Sequence, residues 1–221
     1  MKTPSPGSHF RHHVRSGLYT VGRLLRAHMS EQAGSIQQAT QTVLQTGRAL
    51  EDAEFALVDA FAARDATDDL LDTQTQLGRQ QLASRGLGAD KRTPYTAIFP
   101  DGIKWYIAAP LEEQVARYQI FINRCSTQLP EDDTLRLNVV PQIATLLGEW
   151  QAASSSLMTR QASTTGARDE LEAAILYQEA RHMFQTLAQV TILVPVEAAR
   201  RGESIFLSGG AGTGKLSSQD V

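Results

Sequence analysis

Ser30–Gly86 reads SEQAGSIQQATQTVLQTGRALEDAEFALVDAFAARDATDDLLDTQTQLGRQQLASRG, and this stretch decides the fold class. It contains no proline and is rich in Ala, Gln, Leu and Thr, all but Thr being good helix formers. Ile36, Val43, Leu50 and Leu57 recur every seven residues, and the positions three further on are Ala39, Thr46, Ala53 and Ala60. Large residues at one seam position and small ones at the other let a second helix approach closely. Arg64 breaks the series and Leu71 restores it. The pattern predicts a helix of about fifty residues, roughly 75 Å long at 1.5 Å per residue. A helix of that length needs a partner of comparable length.

The partner lies downstream. After Pro141, Ile143, Leu147, Trp150 and Leu157 continue a helical stripe, which Leu176, Ala180, Met183, Leu187 and Val190 resume. Gly166, within Ser163–Gly166, is the weak point, so this is one long helix or two joined by a tight turn. A shorter helix runs from Pro110 to Leu129, where Leu111, Val115, Tyr118, Ile122, Cys125 and Leu129 alternate four and three apart. Pro110 suits a first helical turn, Glu112 and Glu113 sit at the positive end of the dipole, and Pro130 stops the helix. Cys125 lies on the stripe and reads as a small buried hydrophobe, not a nucleophile.

Two segments read as strands. Ala97–Phe99 and Ile103–Ile107 flank Pro100-Asp101-Gly102, which favours a tight reversal, so a small β-hairpin is expected within 95–107. Its Phe99, Trp105 and Tyr106 would cap the bundle or meet another subunit. Near the C-terminus, Ile192–Val196 and Ser204–Leu207, the latter holding Ile205 and Phe206, are β-prone. They read as a second hairpin or as strands lent to a neighbour, because an isolated two-stranded unit is marginal.

Composition narrows the function classes. The 221 residues carry a net charge of -3, so no global excess of cations points to nucleic acid. The single cysteine excludes an intrachain disulfide framework and a Cys-rich zinc site. No apolar run approaches the roughly 20 residues that span a bilayer. A cytoplasmic protein is the expectation.

Charge is nevertheless uneven. Between Met1 and Ser30 there is no Asp or Glu, whereas Lys2, Arg11, Arg15, Arg23 and Arg26 are basic and His9, His12, His13 and His28 add further polar groups. Phe10, Val14, Leu18, Val21, Leu25 and Met29 are spaced by threes and fours, making residues 10–29 a basic amphipathic helix. Three readings stay open: a bundle helix with a solvated basic face, a helix lying on an anionic membrane or acidic partner surface, and an acid-poor organellar presequence. The retained Met1 speaks against the last, and Arg23 and Arg26 interrupt any secretory apolar core. In the long helix, Asp65, Asp68, Asp69 and Asp72 form an acidic patch without the glycine and ligand alternation of a calcium loop. It reads as a solvated face, or as a receiver for the basic Arg11–Arg26 segment of another subunit.

Two motifs suggest chemistry. Ser204–Lys215 resembles the strand and phosphate-binding loop of P-loop helicases and ATPases, with Gly209, Gly214 and Lys215 at the required spacing. The resemblance covers about a dozen residues and implies nucleotide binding. Leu216, however, stands where that family has its magnesium-binding Ser or Thr, and only six residues follow Lys215. No helix is expected to present its N-terminus to a phosphate. The segment reads as a strand entering a Gly/Ser tail. Glu179 and His182 have the Glu-x-x-His spacing of di-iron bundles, which need a second such pair and two more inward glutamates. Glu51, Glu54 and Glu170 could be recruited only through a geometry that the sequence does not dictate, and no second Glu-x-x-His exists, so a surface Glu and a His beside the Met183 core stripe are expected.

These readings converge on an all-α, elongated antiparallel helical bundle, or helical hairpin. Residues 1–9 are flexible, 10–29 the basic helix, 30–190 the bundle with its β-hairpin, and 191–221 an extended segment and tail. The expected function is structural and non-enzymatic, a subunit of a homomeric filament, tube or shell, with no cofactor or metal and no nucleic-acid partner. The alternative is a peripheral membrane or adaptor protein acting through the basic helix. Candidate contact residues are Arg11, Arg15, Arg23, Arg26, Asp65, Asp68, Asp69, Phe99, Trp105, Tyr106, Ile205 and Phe206.

Overall fold

The computed structural model describes residues 4, 5 and 7–201, with side chains through residue 185. The chain is all-α, and among the described residues there is no strand. Helix α1 covers Phe10–Arg26 and α2 covers Ser30–Ala83. Two single-turn helices follow, α3 at Tyr95–Ile98 and α4 at Lys104–Ile107. Helix α5 spans Leu111–Gln128 and α6 spans Thr134–Arg201. The chain divides into two compact units, one from Met1–Leu44 with Glu172–Val221 and one from Gln45–Leu171.

In the Gln45–Leu171 unit, α2 and α6 run antiparallel. Arg85, just past α2, forks onto Asp133, just ahead of α6, with both N···O distances 2.7 Å, while Thr164 Oγ1 donates to the Ala53 carbonyl at 3.2 Å. Along α2 the expected seam residues Leu50, Ala53, Leu57, Ala60 and Arg64 are half-buried and Leu71 is buried, whereas beyond it the buried positions are Thr75, Gly78 and Leu82, and Gln81 of the expected series is exposed. Helix α5 closes this unit with Tyr118, Phe121 and Cys125, which are completely buried. Phe121, Leu135 and Val139 surround Gly78, where a Cβ would stand 3.6 Å from each of them, an ordinary contact. Each large apolar side chain so enclosed contributes roughly 1.5–3 kcal/mol.

Three expectations change here. Residues 95–107 are not a β-hairpin. Gly102, at φ +76°, turns the chain and donates to the Phe99 carbonyl at 3.1 Å, but helical turns flank it. A helical turn sets Tyr95 and Phe99 on one side, with rings 5.4 Å apart, and Phe99 and Tyr106 then pack on Phe121 at 5.7 and 5.4 Å. That aromatic packing outweighs the β preference of a few residues. Helix α6 starts before Pro141, because Asp133 caps it by accepting from Leu135 N at 2.9 Å. Pro141 is exposed inside the helix, and Gly166 does not interrupt it. Ile192–Val196 belongs to α6 instead of a strand, whereas Ser204–Leu207 and the Gly209–Lys215 loop lie outside the described residues.

In the other unit, α1 packs with the first part of α2 and the described last part of α6. A Schellman turn joins α1 to α2: Met29 N donates to Leu24 O at 3.0 Å and His28 N to Leu25 O at 3.1 Å. Leu24 and Met29 pack together in a small core with Val21, Ala33 and Ile36, as that motif favours. The buried face of α1 is Phe10, His13, Ser16, Gly17, Val21 and Leu24. Of the apolar stripe expected from spacing, Phe10 and Val21 are buried, Val14 and Met29 half-buried, and Leu18 and Leu25 exposed. The helix is rotated from that stripe because its contact with α2 and α6 runs through small and polar residues.

Candidate functional site

A buried polar cluster holds α1, α2 and α6 together in the Met1–Leu44 and Glu172–Val221 unit. Thr40 and Gln178 occupy core positions of α2 and α6 at 2% exposure each. Gln178 Nε2 donates to Thr40 Oγ1 at 2.9 Å and reaches the His13 carbonyl at 3.3 Å, while Thr40 Oγ1 donates to Ile36 O at 2.7 Å. Gly17 lies directly against this pair. A Cβ there would overlap Thr40 Oγ1 and stand 2.5 Å from Gln178 Nε2.

His13, at 1% exposure, extends the cluster. Its Nε2 lies 3.1 Å from the Ser5 carbonyl, which only accepts, so that nitrogen carries a proton. Its Nδ1 faces Glu179 Oε1 at 3.7 Å, an ion pair when the ring is doubly protonated. His182, one turn further along α6, is held below the ordinary imidazole range by burial and then by the nearby His13. Glu179 and His182 are therefore not a surface pair beside a Met183 core stripe. Glu179 turns toward His13, His182 is half-buried and Met183 is exposed. Among the described residues, no three His, Cys, Asp or Glu are arranged to hold a metal ion. The cluster ties α1, α2 and α6 to one another through buried polar contacts, and its central ring, His13, is 1% exposed.

The candidate contact residues separate into two groups. Arg11, Arg15, Arg23 and Arg26 are all exposed on α1. The acidic patch is not one solvated face. Asp72 accepts from Tyr118 Oη at 2.8 Å and Asp68 from Gln114 Nε2, so both fasten α2 to α5. Burial pushes the Asp72 carboxyl up, with the Tyr118 bond opposing and Asp68 and Asp69 adding. Asp65 and Asp69 are exposed, and Asp65 is held by its neighbour Arg64 at 2.6 Å. Phe99 and Tyr106 are core residues, with Tyr106 Oη donating to Ile98 O at 2.6 Å. Trp105 is half-buried, with the Arg117 and Arg124 guanidinium carbons 4.8 and 5.4 Å from its ring centre. Ile205 and Phe206 lie outside the described residues.

Sequence reasoning missed the exposed apolar faces. On α6, Leu176 and Tyr177 are each 51% exposed, Met183 66% and Phe184 71%. Positions i, i+1, i+7 and i+8 share one helical face. The buried seam of this part of α6 is instead Leu171, Ala174, Ile175 and Gln178. On α2, Phe55 and Val58 are also well exposed. The signal was present in the sequence: Leu176 with Met183 and Tyr177 with Phe184 are two sevenfold pairs, more apolar surface than one seam uses. No protein-family model, no curated protein and no solved structure matches this chain.

Proposed function

We propose that this protein is a non-enzymatic structural subunit that self-assembles into a homomeric complex, a filament, tube or shell, through its long helices and terminal segments. The observation that carries the reading is the exposed face of Leu176, Tyr177, Met183 and Phe184. Four large side chains open to solvent on one helical face, at spacings that repeat by sevens, match the geometry by which one helix packs on another. Phe55 and Val58 supply a second such surface on α2. No helix among the described residues is long and apolar enough to cross a membrane. A cytoplasmic location is part of the same proposal.

The test is native mass by light scattering on a sizing column over a wide concentration range. The expected result is a mass several times 24.2 kDa that falls in the double variant Met183→Ser, Phe184→Ser while helical circular dichroism is unchanged. A chain that stays monomeric at every concentration sinks the proposal.

A further inference from the structure

We infer that the outer face of α1 docks on a layer of anionic lipid headgroups. At 100° per residue, the side of α1 turned away from its buried residues carries, in angular order, Leu25, Leu18, Arg11, Arg15, Arg26 and Tyr19. All six are exposed, and Leu18, Leu25 and Tyr19 keep about half their surface open, at 57, 53 and 48%. The helix already has a core face in Phe10, His13, Gly17, Val21 and Leu24; Arg11 rests its guanidinium 5.6 Å from the Phe10 ring centre, and Leu18, Leu25, Tyr19, Arg15 and Arg26 stand open beside it among the described residues.

Charge selects the occupant. The whole chain is net negative, yet Met1–Ser30 contains no acidic residue. Positive potential is therefore concentrated on one helix and calls for an anionic surface. Protein surfaces mix both signs, and a protein partner matched to this face would meet no carboxylate of α1 with which to pair its own cations. A headgroup layer of one sign fits without that mismatch. The arrangement also has the parts of a helix lying flat in an interface: arginine stems run along apolar surface while their heads reach phosphate, leucines dip below, and a tyrosine sits at headgroup depth. The surface is distinct from the α6 face assigned to self-assembly, and each stands without the other.

The experiment is co-sedimentation of the full chain with vesicles of phosphatidylcholine alone and of phosphatidylcholine with phosphatidylserine, across a salt series. Binding is expected only with phosphatidylserine, weakening as salt rises. Arg15→Gln with Arg26→Gln removes two surface cations and lowers partitioning about thirty-fold. Leu18→Ser with Leu25→Ser lowers it as well, although it leaves the charge intact. Absence of binding to phosphatidylserine vesicles, or equal binding by wild type and the arginine variant, overturns the inference. So does a fall in native mass of the arginine variant without vesicles, which would assign the face to a second copy of the chain.

Discussion

Gln178 reaches across 138 residues of sequence to donate to Thr40 Oγ1 at 2.9 Å, in a site where both side chains are almost wholly enclosed. Gly17 is the third member of that contact, because only a residue without a side chain lets α1 come so close. Gly17→Ala is expected to destabilise the protein by roughly 1–3 kcal/mol, as overpacking of a rigid site does. The helix-propensity gain of Ala over Gly, about 1 kcal/mol, works against it. Urea unfolding followed by circular dichroism measures the balance, and a midpoint at or above wild type would contradict the close approach.

His28 sits at φ +59°, in the left-handed position where helix ends favour glycine. The Schellman bonds of Met29 and His28 hold it there. His28→Gly relieves a conformation that costs a side-chain-bearing residue about 1–2 kcal/mol, less the entropy that glycine restores to the unfolded chain. A net gain of roughly 0.5–1 kcal/mol is expected, read as a raised thermal midpoint. His28→Val should move the midpoint the other way.

Acid should weaken the unit that contains His182. Burial, and then the like charge of His13, hold the folded-state imidazole below its ordinary value of about 6.5. The unfolded chain therefore binds the proton first, and stability rises with pH across that window. The contribution is complete above about 6.5 and is lost as pH falls through the lower folded value. Glu179 faces His13 from α6 and shares the same pocket of charge. His182→Asn should flatten the slope of the urea midpoint between pH 7 and 5; an unchanged slope would show that His182 does not set it.

Cys125 is fully buried and its thiol is pushed up to about 12, by burial first and then by Asp133. A thiolate-selective reagent such as Ellman's should leave the native protein unmodified and react with one thiol per chain once denaturant unfolds it. Rapid labelling of the native form would mean that α5 opens readily.

Tyr118 links α5 to α2 through Asp72. Tyr118→Phe keeps the ring but leaves a half-buried carboxylate short of its donor, with an expected cost of roughly 1–3 kcal/mol. Phe121→Ala, which empties the middle of the aromatic cluster, should cost roughly 3–5 kcal/mol. Equilibrium denaturation of both variants gives the ranking.

Sequence showed the all-α class and the phase of α2 because Ile36, Val43 and Leu71 are apolar residues at apolar positions. It misplaced the phase of α6 beyond residue 160 for the opposite reason. Thr164 and Gln178 are buried there, Thr164 bonded to the Arg160 carbonyl one turn back and to the Ala53 carbonyl, Gln178 to Thr40, and the bonds to Ala53 and Thr40 span more than a hundred residues and have no sequence signature. Polar residues inside displaced Leu176 and Met183 outside, which hid this exposed apolar face. Residues 95–107 were misread because a four-residue segment has no period of its own; the ring of Phe121, far along the chain, decides it. The basic character of α1 was plain from composition, but its outward face followed only from knowing that Gly17 and Ser16 point inward.

Arg64 occupies a seam position of α2 between Ala60 and Leu71, half-buried, its guanidinium held by Asp65 and resting 5.4 Å from the centre of the Phe61 ring. A repeat of near-identical heptads is by nature degenerate: one helix could slide along the other by seven residues and find similar apolar company. Arg64 removes that freedom, since a slide would carry its charge into a place meant for Leu57 or Leu71. The Thr164 bond to Ala53 removes it a second time, from the α6 side. Two polar residues that add little to the depth of the native minimum thus make it single.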